Sequence, residues 1–224
     1  MSLRVHIGRI PLTPAVHNDL DDWCRIIVAL CSRPTHMLEV VPPDPTTLGV
    51  HNACSNSIGG VFQGPNVIPF VCCWRFPEDI TARLVSWDNL EGDRDINEFK
   101  IAGHYAQAAL FFPRMTPLAA SVFGCDNFTT ILWVKRGSIS CQSPATAFLR
   151  SCALLLREHQ ILGRVGFLPG KMNGMADATW RLWKLSGTDF LTYFFHHFPQ
   201  DKYWHICQPP PAMMHHISTV LRAL

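Results

Sequence analysis

The stretch that decides the fold is residues 48–75, LGVHNACSNSIGGVFQGPNVIPFVCCWR. Its β-branched and aromatic residues, interrupted by Gly, Asn and Pro, are typical of strands separated by turns. The first part predicts a strand, a glycine-rich turn at Gly59-Gly60 and the start of a second strand. Residues 66–75 predict that second strand or its partner, and Pro69 within them indicates a sheet edge or a bulge. The segment therefore predicts a β-hairpin.

Strand and helix patterns alternate after this hairpin. The predicted elements are a helix over 97–112 capped by Asn97, a strand within 121–134 that delivers Asp126 to a loop, a helix over 143–160, a strand over 161–168, a helix over 173–183 and a short last helix after Pro209-Pro210-Pro211. Such alternation is typical of an α/β layer, and a hairpin followed by further strands indicates a mixed sheet. We expect an α/β fold with a mixed sheet flanked by helices.

The chain begins with a different pattern. Residues 13–32 predict a helix, because Thr13 is a suitable N-cap, Pro14 suits the first turn and apolar residues recur at steps of three and four. Residues 40–47 hold three prolines in eight residues and predict a linker. We expect three segments: an N-terminal helix with a proline-rich linker (1–47), a main domain (48–187) and a C-terminal helical tail (188–224).

The composition narrows the class of protein. The 224 residues are 48% hydrophobic and 16% charged, which suits a packed core and excludes a long disordered chain. No apolar run approaches the roughly 20 residues of a membrane span, and residues 1–10 lack the apolar core of a secretory signal. We therefore expect an intracellular protein, in the cytoplasm or nucleus, with no membrane partner.

The nine cysteines and eleven histidines do not form a metal-binding pattern. Neither Cys-x-x-Cys nor His-Glu-x-x-His occurs in the sequence, and a zinc site usually starts from a closely spaced pair. We expect the cysteines to be small buried thiols that fill the core. Most of the histidines are expected to be surface or partly buried polar groups.

Several segments carry a more specific pattern through their order. They are RPTHMLEVVPPDPTTLGVHNACSNSIGGVF at 33–62, INEFKIAGHYAQ at 96–107, FGCDNFTTILWVKRGS at 123–138 and PGKMNGMAD at 169–177. From Leu12 onward the chain resembles the ribonuclease H-like region, with its preceding connection, of retrotransposon reverse transcriptases of the type spread through fungal and oomycete genomes. The resemblance implies a ribonuclease H-like domain over 48–187, preceded by a connection helix.

The resemblance also implies a site that has lost half of its acids. Family members carry four carboxylates for two-metal cleavage of the RNA strand in an RNA/DNA hybrid. Here the hairpin position is Asn52 and the helix position is Lys100, whereas Asp126 and Asp177 are retained. An ammonium group repels divalent cations and competes for the acids. Asp126 and Asp177 are then weak metal ligands at most, and Mg²⁺ or Mn²⁺ is expected only if the domain is active. Glu98 lies about 200° around the helix from Lys100 and is expected to point away.

Basic residues are concentrated late in the chain. Residues 126–224 hold 10 of the 19 Lys and Arg but only 5 of the 17 Asp and Glu, which favours a polyanionic partner or reflects ordinary surface composition. The tryptophans at 133, 180 and 183 lie among them, where they suit stacking on nucleic acid or, alternatively, belong to the core. The candidate nucleic-acid-binding residues are Lys135, Arg136, Lys171 and Arg181.

Three hypotheses follow for the function. The first is a degenerate ribonuclease H-like domain that keeps affinity for an RNA/DNA hybrid or another nucleic acid. The second is an active metal-dependent nuclease with a site rebuilt around Asp126 and Asp177. The third is a protein-interaction module that uses the scaffold only, with a partner that the sequence does not identify. The fold alone does not choose among them.

Overall fold

The computed structural model describes residues 13–65, 67–139 and 143–223. Parts of four predictions lie outside these residues. They are the beginning of the N-terminal segment (1–12), the predicted strand start at Asn66, residues 140–142 within the predicted main domain (48–187), and Leu224 at the end of the tail.

The described residues contain helices and strands in alternation. The helices are α1 (Pro14–Ser32), α2 (Met37–Val40), α3 (Glu78–Thr81), α4 (Ile96–Phe111), α5 (Phe128–Arg136), α6 (Pro144–His159), α7 (Gly174–Arg181), α8 (Gly187–His197) and α9 (Pro211–Arg222). The strands are β1 (Thr47–Ala53), β2 (Ser57–Gly64), β3 (Val67–Arg75), β4 (Ala120–Cys125), β5 (Leu162–Phe167) and β6 (His205–Ile206). Short 3₁₀ turns follow α4 at Phe112–Arg114 and precede α7 at Gly170–Met172.

The strands form a mixed sheet in the order β5-β4-β1-β2-β3-β6. Strands β1, β2 and β3 are an antiparallel meander, while β4 pairs with β1 and β5 pairs with β4 in parallel. The short β6 adds a parallel edge beside β3. The predicted α/β fold, with a mixed sheet flanked by helices, is confirmed by this order.

The turn predicted at Gly59-Gly60 is wrong, because both glycines lie within β2 and the chain reverses at residues 54–56. Gly59 serves close packing instead. A Cβ there would lie 1.9 Å from Oγ1 of Thr179 on α7, so only glycine allows the helix to approach the strand. The glycine thus fixes how deeply α7 packs on the sheet.

Two further local predictions need correction. The N-cap of α4 is Asp95 rather than Asn97: its Oδ1 accepts from the Asn97 backbone N–H at 2.7 Å, and Glu98 Oε2 accepts from the Asp95 N–H at 3.2 Å. This reciprocal pair is a capping box, which starts the helix one residue earlier. The second half of 121–134 is not strand, because Asn127 caps a new helix, α5, through the Thr130 N–H at 2.7 Å.

The sheet is covered on both faces. Alternate residues of β1 to β3 point in opposite directions, so each strand contributes to two apolar layers. One layer packs under α4, α6 and α9 and includes Phe62, Phe99 and Phe148, all almost fully buried. The other packs under α7 and α8 around Val61, Phe194 and Trp204. The predicted burial of the cysteines holds for Cys72, Cys125, Cys152 and Cys207 but not for Cys24 and Cys31 on α1, which are exposed.

The chain divides into two compact units, Met1–His36 and Met37–Leu224. The first contains α1, which spans nearly the whole helix predicted over 13–32. Residues 188–223 add most of α8, β6 and α9 to the second unit. The domain boundaries predicted at 47/48 and 187/188 stay predictions. Every helix within residues 13–65, 67–139 and 143–223 is too short or too polar to cross a lipid bilayer.

Candidate functional site

The parallel pairing of β1 with β4 brings Asn52 and Asp126 to one edge of the sheet. Asn52 is the penultimate residue of β1, and Asp126 directly follows the last residue of β4. Because neighbouring parallel strands end at the same edge, two residues 74 positions apart in sequence become neighbours. Asn52 Nδ2 donates a hydrogen bond to Asp126 Oδ2 at 3.3 Å.

The Asn52 amide is the centre of the cluster. Its Nδ2 also donates to Asp177 Oδ1 at 2.5 Å, so the amide N–H₂ bridges the two acids Asp126 and Asp177. Its Oδ1 accepts from the Ala53 N–H at 2.8 Å and from the Lys100 ammonium. Every hydrogen-bonding position of this 5% exposed side chain therefore faces a partner of the matching kind. A carboxylate at position 52 would instead face the carboxylates of Asp126 and Asp177.

Lys100 reaches the cluster from α4. Its Nζ lies 3.0 Å from Asp126 Oδ1, and the two side chains are only 15% and 19% exposed. The lysine lies in the second turn of α4, the helix whose Gly103 lies against Ala53 of β1 and Ile58 of β2. The ammonium therefore neutralises Asp126 directly.

Asp177 is anchored on α7 by its own helix. Trp180 Nε1 donates to Asp177 Oδ1 at 3.2 Å, and the Arg181 guanidinium lies 3.7 Å from Oδ2. The helix is fastened to the sheet by Asn173, whose Nδ2 donates to the His51 carbonyl at 3.2 Å, and by the Ser57 hydroxyl, which donates to the Trp180 carbonyl at 3.3 Å. These bonds set the position of Asp177 opposite Asn52.

The structure thus brings together all four positions that the sequence singled out: Asn52, Lys100, Asp126 and Asp177. They come from two strand ends and two helices that are far apart in the chain. Their roles as catalytic positions or metal ligands stay predictions. What the geometry establishes is a cluster of two anions, one cation and one amide.

The metal pair that the resemblance implies does not fit these side chains. Metal ions of the Mg²⁺ type need several oxygen ligands facing one point. Here the oxygens of Asp126 and Asp177 that face the centre already accept from the Lys100 ammonium or the Asn52 N–H₂. Within the described part of the chain, no group of three or more His, Cys, Asp or Glu is placed to hold a metal ion.

Glu98 lies outside the cluster. Its Oε1 accepts from the Ser143 hydroxyl at 2.7 Å, and its Oε2 accepts from the Asp95 N–H. The carboxylate is therefore used to cap α4 and to hold the start of α6. It points away from Lys100, as the helical periodicity predicts.

A buried histidine pair lies next to the cluster. His51 Nε2 and His104 Nδ1 are 3.2 Å apart, and the side chains are 1% and 6% exposed. Burial lowers the pKa of His104 to about 4, and burial together with His104 and Lys100 lowers the pKa of His51 well below its usual value. Both rings are neutral at pH 7. The sequence predicted that most of the histidines lie at the surface or are partly buried, and these two are the buried exceptions among the described residues.

The predicted nucleic-acid-binding residues fall in three places. Arg181 is next to Asp177, as described above. Lys171 is exposed and lies in the 3₁₀ turn Gly170–Met172. This turn borders the cluster, because a Cβ on Gly170 would lie 3.8 Å from Asp126 Oδ2. Lys135 and Arg136 are exposed in the last turn of α5, at the end that faces away from Asp126 along the helix.

A group of aromatic and basic side chains extends from Arg181. We call it the Trp–Arg surface: it lines a depression of 530 Å³ and consists of Asn56, Arg75, Trp180, Arg181, Trp183 and Lys184. Sequence reasoning named the tryptophans but missed Arg75 and Asn56, because these come from β3 and the β1–β2 turn. The run WRLWK at 180–184 was the available signal. Trp180 and Trp183 are half-buried here, and Trp133 packs against the core instead.

The chain is similar to the crystal structure of RNase H1 from the halophilic archaeon Halobacterium salinarum NRC-1, with a TM-score of 0.42, 12% sequence identity, and coverage of 61% of this chain and 93% of that chain. No protein-family model and no curated protein matches the chain. A likeness of this size supports no conclusion about activity.

Proposed function

We propose that this chain is a catalytically inert ribonuclease H-like domain of retroelement origin that keeps affinity for nucleic acid. The observation that carries the proposal is the Lys100–Asp126 ion pair at 3.0 Å, joined through the Asn52 amide to Asp177. The cluster satisfies its own charges and hydrogen bonds. Divalent cations would have to displace an ammonium group and an amide to reach the two acids.

The size of the electrostatic interactions at Lys100 also opposes the binding of a divalent cation. At an effective dielectric near 20, two unit charges 4 Å apart attract by about 4 kcal/mol before desolvation is counted. A divalent cation entering beside Lys100 would meet repulsion of the same order for each of its charges. The two remaining carboxylates are fewer than the several oxygen ligands that hold a pair of divalent ions.

The proposed retroelement origin rests on the order of sequence motifs. The segments around Asn52, Lys100, Asp126 and Asp177 follow one another as in reverse transcriptase ribonuclease H regions. Convergence of these four positions at one sheet edge supports the alignment of the motifs. A chance resemblance would not be expected to place all four side chains in one cluster.

The proposed nucleic-acid affinity rests on charge and position. Arg181 and Lys171 flank the cluster, and Lys135 and Arg136 extend the basic character along α5. An RNA/DNA hybrid is recognised largely by backbone shape and 2′-hydroxyl contacts rather than by metal ions. A domain with a neutralised site therefore keeps the groups needed for hybrid binding.

The activity part of the proposal is tested by hybrid cleavage. The full chain is incubated with a labelled RNA/DNA hybrid and Mg²⁺ or Mn²⁺, beside its Asp126→Ala variant. We expect no cleavage above the level of that variant. Metal-dependent cleavage that is lost on Asp126→Ala would overturn the proposal in favour of a rebuilt nuclease site.

The binding part is tested by the salt dependence of hybrid affinity. Phosphate contacts by basic residues make the association constant fall as salt rises, because counterions are released. We expect a clear negative slope, made shallower by Arg136→Gln and Lys171→Gln. A flat response would refute phosphate contacts and leave the inert-site conclusion standing.

A further inference from the structure

The Trp–Arg surface pairs each indole ring with at least one cation. The Arg181 guanidinium carbon lies 4.4 Å from the centre of the Trp180 ring, and that of Arg75 lies 5.0 Å from the centre of the Trp183 ring. Lys184 Nζ is 5.4 Å from the Trp183 ring. Three cations and two aromatic faces therefore line one depression, and none of the six side chains that line it is acidic.

The surface is held in shape before any ligand binds. Trp180 is fixed at its ring nitrogen by Asp177 and at its backbone carbonyl by the Ser57 hydroxyl. Trp183 has the Arg75 guanidinium on β3 and the Lys184 ammonium of its own segment beside its ring. Rings that are already oriented lose little side-chain entropy when a partner stacks on them. This order is what a stacking platform requires.

We propose that the Trp–Arg surface binds unpaired, single-stranded RNA or DNA by stacking bases on Trp180 and Trp183 while Arg75, Arg181 and Lys184 contact phosphates. The inference rests on the proposed nucleic-acid affinity and names the strand state that this part of the chain prefers. Half-buried indoles combined with basic side chains suit single strands, whose bases expose their faces. In a duplex those faces are covered by neighbouring base pairs.

Charge complementarity favours a polyanion over an apolar or basic peptide as the occupant. The acids nearest to the surface, Asp177 and Glu78, lie 3.7 Å from Arg181 and 3.8 Å from Arg75. These two pairs are open to water, since Arg181 is 62% and Arg75 is 51% exposed. Open ion pairs are weak, so phosphate groups compete for both guanidinium groups at low cost.

An adjoining apolar cavity extends the platform. This cavity has a volume of 370 Å³ and is lined by Arg75 and Trp183, which also belong to the Trp–Arg surface. Leu182 and Phe190 line it as well. Trp183 therefore separates a basic depression from an apolar one. A strand that crosses the first depression can place one unpaired base against the apolar wall of the second.

The test measures affinity for three labelled ligands by fluorescence anisotropy with the full chain. The ligands are a short single-stranded oligonucleotide, the RNA/DNA hybrid of the same sequence and an acidic peptide of matched charge. The test variants are Trp183→Leu and Lys184→Gln. Their matched controls are Trp87→Leu, at a tryptophan that is 96% exposed outside this surface, and Lys202→Gln, at a distant exposed lysine.

We expect the single strand to bind more tightly than the hybrid or the peptide. Trp183→Leu should weaken single-strand binding by about tenfold, the order expected for loss of one stacked base. Lys184→Gln should reduce the slope of log affinity against log salt by about 0.7, the value for one phosphate contact on a single strand. Both controls should bind like the unchanged chain.

Two results would overturn the inference. One is equal loss of affinity in Trp183→Leu and Trp87→Leu, and the other is tighter binding of the hybrid or the peptide than of the single strand. Trp183→Phe keeps a stacking ring, and its near-normal affinity would separate lost stacking from lost folding. Neither overturning result touches the inert site, whose own test is metal-dependent cleavage.

Discussion

The Lys100–Asp126 ion pair makes the strongest quantitative prediction. We consider the double-mutant cycle of Lys100→Ala, Asp126→Ala and the combined variant. Removing either partner alone leaves the other as an unpaired, poorly solvated charge, whereas removing both leaves only Asp177, which keeps its own partners Asn52 and Trp180. The combined variant should therefore be more stable than the sum of the two single losses predicts.

The size of the coupling follows from the geometry. At an effective dielectric near 20, charges 4 Å apart attract by about 4 kcal/mol, and these atoms lie 3.0 Å apart. Desolvation offsets part of that attraction, because both side chains are more than four-fifths buried. We expect a coupling of about 1–3 kcal/mol.

Urea unfolding of the four proteins, followed by circular dichroism, measures this coupling. The control is the same cycle on Arg222 and Asp79, an ion pair at 2.6 Å whose side chains are 46% and 56% exposed. It should give a smaller coupling, because solvent screens exposed pairs. A Lys100–Asp126 coupling no larger than that of the control would refute the neutralised-cluster interpretation.

Two other predictions concern the scaffold around the site. Gly59→Ala should lower the free energy of unfolding by about 2 kcal/mol or more in urea, because the added Cβ would lie 1.9 Å from Thr179 Oγ1. Gly166→Ala is the control, since its Cβ would have its nearest neighbouring atom at 3.7 Å and should be tolerated. Equal effects of the two substitutions would contradict the close packing of α7. The free energy of unfolding should also fall as the pH is lowered from about 6.5 towards 4. In this range His51 and His104 bind protons in the unfolded chain but stay neutral in the folded chain, where their pKa values are lowered. His104 alone contributes a slope of at most about 1.4 kcal/mol of unfolding free energy per pH unit. An unfolding free energy that stays constant between pH 6.5 and 5 would show that these rings are not buried as neutral groups.

Local patterns in the sequence predicted the fold well where short-range physics decides. The helix over Pro144–His159 begins at Pro144 after a Ser cap, and the strand Leu162–Phe167 follows it, as alternation and capping signals indicate. The failures are long-range. Gly59 was interpreted as a turn residue because glycine is common in turns, yet it is required by Thr179, 120 positions later. Only the packed structure shows that contact.

The residues of the candidate site were likewise predictable from local motifs, whereas their packing neighbours were not. Asn52, Lys100, Asp126 and Asp177 were found through their motifs, since each lies in a recognisable local segment. The partners that complete their environment were not. The burial of His51 and His104, and the approach of Arg75 to Trp183, depend on which strand lies beside which helix. No local pattern in the sequence specifies that neighbourhood.

The central claim is that Asn52 and Lys100 prevent metal binding by neutralising the two acids Asp126 and Asp177. The most direct measurement is calorimetric titration of Mn²⁺ into the full chain and into the Asn52→Asp/Lys100→Glu variant, with a Gln208→Glu/Lys202→Glu variant as the control for the same change of charge elsewhere. We predict no Mn²⁺ uptake by the unchanged chain or the control, and saturable uptake by the restored variant. Saturable binding by the unchanged chain, or none by the restored variant, would contradict the claim.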